Sequence, residues 1–200
     1  MDAVESFVSN YSEADRSRIA FAWNGEHAQE FVDANQEFRW QVVRACLQSP
    51  QDAPPGLLEA LFLEDAEWSA QAWGAPHHFG PLGSVLLEYG RDGTLEAFAR
   101  GCVRSFDTWG ACHGIVISSG AAESYLASAR LALQGTEDSE ARRQLEGAIT
   151  LLEKVRNGTA RQGWATVAPG TPVTNVRVVW PRWYQRFRRY LDSLFRGGAA

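Results

Sequence analysis

Five residues between positions 77 and 113 are of the types that move protons or attack electrophiles: His77, His78, Asp107, Cys112 and His113. A histidine held by a carboxylate can serve as a general base, and a cysteine becomes a nucleophile once its thiol is deprotonated. Cys112 and His113 lie between Gly110 and Gly114, which would permit an exposed, sharply turned backbone. These residues are the weak catalytic candidates of the chain, and they support the reading of a small helical enzyme with a His/Cys pocket around 77–113. The geometry that such an enzyme requires is convergence of His78 and His113 in one concavity.

Metal chemistry has less support. Structural zinc sites use close cysteine pairs, whereas Cys102 and Cys112 are ten positions apart. No Glu-x-x-His pair occurs, which removes the di-iron bundle pattern. Neither a phosphate-loop nor a dinucleotide-binding glycine motif is present, so Ser118-Ser119-Gly120 is expected to be a plain helix start. The expectation is therefore no metal and no cofactor. His27 falls on the apolar stripe expected for its helix and is read as a core histidine. Cys102, on an apolar stripe, is read as inert.

Binding candidates form two groups of opposite charge. In the segment after Pro181, Arg182, Arg186, Arg189 and Arg196 share one helical stripe, beside a face of Trp183, Phe187, Tyr190, Leu191 and Leu194. The second group is Glu64, Asp65 and Glu67, with Glu59 nearby, where a run of acids on a helix is usually a solvated face. Arg182, Trp183, Arg186 and Arg189 against Glu64, Asp65 and Glu67 are the residues expected to bind a partner or one another.

Charge supports both options. The chain has 200 residues and a net charge of −5. Residues 1–100 carry 16 acids and 6 arginines, whereas residues 101–200 carry 8 acids and 13 basic residues. Such asymmetry marks an interaction surface or lets the two halves attract each other. A sequence pI near 5.4 counts against a dedicated nucleic-acid binder. Three cysteines without a scaffold spacing, an acidic amino terminus and no long apolar run point to a reducing, cytoplasmic setting without a membrane span. Lys154 is the only lysine, a bias typical of GC-rich bacterial coding.

The elements that must position these residues are mostly helices. Ser12 with Asp15 forms a capping-box pattern opening a short helix that carries Ile19, Ala20 and Trp23. His27, Phe31, Ala34, Phe38, Val42 and Ala45 recur at three- and four-residue steps, predicting a helix over about 26–48. A proline-rich linker at 49–56 leads to a helix over about 55–73, with Leu57, Leu58, Leu61, Ala66, Trp68 and Ala72 inward. Leu82 to Tyr89 form a short helix. Leu95, Phe98, Ala99, Cys102, Val103 and Phe106 are expected along one face of the next. Residues 109–119 could be strand or helix. Two helices over about 120–133 and 138–157 form an αα-hairpin, closed by Asn157-Gly158.

The expected fold is mainly α, a single-domain bundle of about seven or eight helices. A helical core spans 1–158. A small β-hairpin or extended arm near 160–180 and a C-terminal helix, together 159–200, pack on it. The favoured function is a non-catalytic protein-binding domain of the immunity, adaptor or chaperone kind, with another protein as partner. A homo-oligomeric structural protein is the third class.

Overall fold

The computed structural model describes residues 3–90 and 93–159. The arm and helix expected over 160–200, including Arg182, Trp183, Arg186 and Arg189, lie outside the described residues.

Among the described residues the chain is a bundle of eight α-helices: α1 (Ala3–Asn10), α2 (Gln36–Gln48), α3 (Pro55–Gln71), α4 (Phe79–Tyr89), α5 (Thr94–Cys102), α6 (Phe106–Cys112), α7 (Ser119–Gly135) and α8 (Ser139–Arg156). Three short 3-10 turns, at Glu13–Arg18, Ala28–Glu30 and Pro50–Asp52, join the early elements. No strand occurs among them; a single antiparallel bridge pairs Trp23 with Asp33.

Helix α3 is the centre. Pro55 at its start supplies a pre-set φ and costs no hydrogen bond. Leu57, Leu58, Ala60, Leu61, Phe62 and Ala66 are buried, so almost every side of the helix is covered. A helix covered on most of its sides belongs inside a bundle, and α2, α4, α5 and α6 pack about it. Phe62 stacks on Phe79 from α4, with centroids 4.5 Å apart, and on Phe98 from α5 at 5.9 Å. Gly101 makes this approach feasible, because a Cβ there would stand 2.5 Å from the Phe62 ring.

Helices α7 and α8 form the expected hairpin. The Ser118 side chain accepts the Ala121 N–H, and the Asp138 carboxylate accepts the Ala141 N–H at 2.7 Å. Gly158 closes α8 in the left-handed conformation, at φ +68°. Leu145, Ala148, Leu151 and Leu152 turn inward, and α8 packs against α5.

The amino-terminal third differs from the periodicity. Asp15 does receive the Ser12 N–H at 3.1 Å, but it opens only the 3-10 turn Glu13–Arg18, not a helix reaching Trp23. The helix expected from residue 26 begins at Gln36. Residues 24–33 instead form a closed loop. The Asn24 side chain donates to the Glu30 carbonyl at 2.7 Å and accepts the Glu26 and Val32 N–H groups. Asp33 Oδ1 accepts from Ala22 N at 3.0 Å and Asn35 N at 3.1 Å. Asparagine and aspartate thus satisfy the backbone locally and outcompete helix formation. The shorter α2 is rotated in use: its buried side chains are Arg39, Val42, Val43 and Cys46. His27 is consequently not a core residue; it is exposed, its ring 4.9 Å from that of Trp23.

Two smaller expectations also change. Residues 115–118 are neither strand nor helix, although Ile115 is buried. Phe106 does not face the core with Phe98 but is 74% exposed, because α5 stops at Cys102 and Ser105 caps a new helix by accepting the Thr108 N–H at 3.1 Å.

Candidate functional site

Four ionisable side chains from distant parts of the chain meet beneath the surface. Arg39, on α2, is fully buried. Its Nη2 donates to Asp33 Oδ2 at 2.6 Å and its Nε to Asp65 Oδ1 at 2.8 Å. A third bond, from Nη1, reaches the Ile19 carbonyl at 3.3 Å. Asp65, on α3, is also completely buried, and its Oδ2 lies 2.7 Å from His78 Nε2. The N–H of His78 satisfies it in either the Nε2-protonated neutral tautomer or the imidazolium. Trp40 adds its indole N–H to Asp65 Oδ1 at 3.2 Å.

Burial alone would push the Asp65 carboxyl upward. The hydrogen bond and charge of His78, with the Arg39 guanidinium, outweigh it and hold Asp65 below the usual carboxylate range. The same carboxylates keep Arg39 protonated against its own burial. A buried charge needs such partners, since an unpaired one is costly.

Over this ionic lock lies an aromatic edge. Trp40 meets Trp68 at 5.4 Å and His78 at 5.4 Å, both edge-to-face. Trp68 meets Phe31 at 5.9 Å, and Phe31, Phe21 and Trp23 continue the row at 6.2–6.4 Å. Each indole N–H is internally engaged: Trp23 with the Glu26 carbonyl, Trp40 with Asp65, Trp68 with Gln36. What the partly exposed rings offer outward is therefore apolar surface and π-faces. Between Ile19 and Phe38 the only charged residues are Glu26, Glu30, Asp33 and Glu37. Asp33 is buried, whereas Glu26, Glu30 and Glu37 are exposed.

The connection that brings His78 to Asp65 also carries Trp73. Trp73 is 87% exposed and left-handed, at φ +56°. It follows the C-cap Ala72, the place where glycine ordinarily ends a helix, and the chain's glycine comes one residue later. A bulky residue there costs about 1–2 kcal/mol, and no burial offsets it.

The catalytic candidates engage different partners. His78 belongs to the lock, while His77 is exposed. His113 Nδ1 donates to the Trp109 carbonyl at 2.8 Å, its ring packs on Trp109, and burial pushes its pKa below the ordinary value. Asp107 is half-buried, which raises its carboxyl. Cys112 is not exposed as its flanking glycines suggested: it is fully buried on α6, and burial drives its thiol well up, away from the thiolate a nucleophile needs. Cys102 is likewise buried and raised.

The acidic group is not a solvated face either. Besides Asp65 in the lock, Glu64 accepts from Arg16 at 3.1 Å and from the Phe21 N–H at 2.8 Å, and Glu67 takes a two-pronged bond from Arg104. Glu64 and Glu67 line a separate cleft of about 280 Å³ with Arg16, Arg100, Arg104 and Glu140, where these opposite charges already match. Among the described residues no cluster of three His, Cys, Asp or Glu could hold a metal ion, and no helix is long and apolar enough to cross a membrane.

Arg39 and Asp33 escaped the sequence reading. The signal was available for Arg39 and Asp65: each occupies an apolar register of its helix, beside Val42, Val43 and Cys46 on α2, and beside Leu61, Phe62 and Ser69 on α3. Opposite charges at buried registers of adjacent helices read as a buried pair. No protein-family model, curated protein or solved structure matches the chain.

Proposed function

We propose that the chain is a non-catalytic protein-binding domain whose aromatic, acidic edge takes an arginine- or lysine-rich segment of another protein. The observation that carries this reading is Trp73, an exposed tryptophan held in a left-handed backbone on the connection that also carries His78, whose ring meets Trp40 of the aromatic row. Tryptophan is a preferred interface anchor, and a cation over its face gains further attraction. Exposed glutamates steer a basic partner toward the edge. The lock beneath fixes the edge, because Arg39, Asp65 and His78 anchor Trp40 and the loop at residues 19–33. A cytoplasmic setting suits the three free cysteines.

Trp73→Gly tests this reading. Glycine relieves the left-handed strain, so urea unfolding should show a gain of about 1 kcal/mol. Binding of a fluorescent nona-arginine peptide, followed by anisotropy at low salt, should weaken by about tenfold. Greater stability with lost binding is the signature of an anchor. Unchanged affinity in the stabilised variant would remove the protein-binding proposal.

A further inference from the structure

We infer that in the free chain this same edge is occupied by the chain's own arginine-rich C-terminal segment, residues 160–200, which an external basic partner must displace. The inference rests on the proposed binding edge and adds its regulation. Three observations carry it.

The first is unmatched charge. Across the described surface Glu64, Glu67, Glu140, Glu146 and Glu153 each hold an arginine. Glu26, Glu30 and Glu37 form no ion pair among the described residues, as is also true of Glu59, Glu88 and Glu123, but Glu26 and Glu30 belong to the loop that carries Trp23 and Phe31. The arginines nearest to them are engaged elsewhere: Arg39 is buried and committed to Asp33 and Asp65, Arg16 pairs with Glu64, and Arg18 stands over the rings of Phe7 and Phe38.

The second is the composition of the remaining chain. Residues 160–200 hold seven arginines against a single acid, Asp192, together with Trp183, Tyr184, Phe187 and Tyr190. Guanidinium and aromatic groups are the chemistry that an edge of indoles and carboxylates recognises.

The third is reach. The stretch from Thr159 to Arg182 can span on the order of 70 Å at ~3.3 Å per residue. A domain of this size has a radius of gyration of about 15 Å. The arginines can therefore meet any face of the bundle, and tethering gives them an effective concentration near the millimolar range.

Charge reversal in the full-length chain tests this. Arg182→Glu, Arg186→Glu and Arg189→Glu together should raise hydrogen exchange of the amides in residues 21–37. They should also tighten nona-arginine binding by about fivefold or more, because the internal competitor is removed. Adding Glu26→Arg, Glu30→Arg and Glu37→Arg to that variant should restore the protection, since the opposite charges face each other again with signs exchanged. Unchanged exchange in 21–37 and unchanged affinity after tail reversal would overturn the inference. So would protection that rises with protein concentration in step with dimer formation, which would put the segment on a second copy.

The two proposals fail separately. If the glutamate reversal alone abolishes peptide binding while tail reversal has no effect, the edge binds a basic partner but not its own tail. If tail reversal changes the exchange while neither wild type nor tail variant binds nona-arginine, the tail docks but the edge is no receptor for a basic partner.

Discussion

Around Arg39 the described chain is tied by bonds between residues far apart in sequence, whereas the α7–α8 hairpin is tied mainly by bonds between near neighbours. Asp33, Arg39, Asp65 and His78 come from a loop, two helices and a connection, and all but His78 are sealed from water. In the hairpin, Asp138 caps three residues on, Arg142 pairs with Glu146 and Arg143 with Glu140, and these partners are largely exposed. The same kinds of polar contact thus do different things. Buried, they fix one arrangement, because any other leaves a charge without water or partner. Exposed, they add little to a hairpin that its apolar stripe already specifies.

The largest effect expected from this contrast is at Arg39. Arg39→Met leaves the buried Asp33 carboxylate without its cation and Asp65 with only His78 and Trp40. Loss of one partner from a buried ionic set costs about 3–5 kcal/mol, a large share of the ~5–15 kcal/mol that holds a domain together. Urea unfolding should find the variant at the margin of folding, with Trp40 fluorescence changed. A loss below about 1 kcal/mol would mean that the lock is no stronger than a surface pair.

This contrast also explains what the sequence made legible. The hairpin was readable because Leu126, Ala129, Leu145, Ala148 and Leu152 repeat at helical steps, and because Ser118, Asp138 and Gly158 carry their cap chemistry locally. Helix α3 was readable from Pro55 and its leucines. The loop at 24–33 was not, because its apolar residues happen to repeat at helical spacing while two side chains, Asn24 and Asp33, decide the backbone. Periodicity counts apolar positions and is blind to such local competition. Of the candidate site, His78 and Asp65 were named, but for separate reasons. Their meeting depends on how α2, α3 and the α3–α4 connection pack, which no spacing within one segment reports. Trp73 looked like one more residue of a helix end; its exposure and left-handed backbone are visible only in three dimensions.

Acid should sharpen the contrast by an intermediate amount. Asp65 is held below its ordinary carboxylate value, so its ionised form favours the folded state. That contribution is full above the unfolded-state value of about 3.9 and is lost as the pH falls through the lower folded-state value. Denaturation of wild type and Asp65→Asn should therefore differ most near neutral pH, begin to converge near about pH 4 and meet only below the folded-state value of Asp65. Taking the difference removes groups that titrate in both proteins, such as Asp107 and His113, whose shifts arise elsewhere. A gap independent of pH would show that Asp65 acts by shape and not by charge.

The smallest effect belongs to Arg130, which makes an equally short bond. Its Nη2 stands 2.6 Å from Glu153 Oε1, the same distance as Arg39 Nη2 to Asp33 Oδ2. If length set strength, the two would match. The side chains of Arg130 and Glu153 are 50% and 42% exposed, however, so water solvates both ions when they part. Arg130→Ala should cost less than about 1 kcal/mol, and less still as salt is raised. Measured beside Arg39→Met under one urea protocol, it separates the two variables, distance and burial. Comparable losses at both sites would show that the hairpin depends on its ion pair, contrary to the view that its apolar stripe suffices.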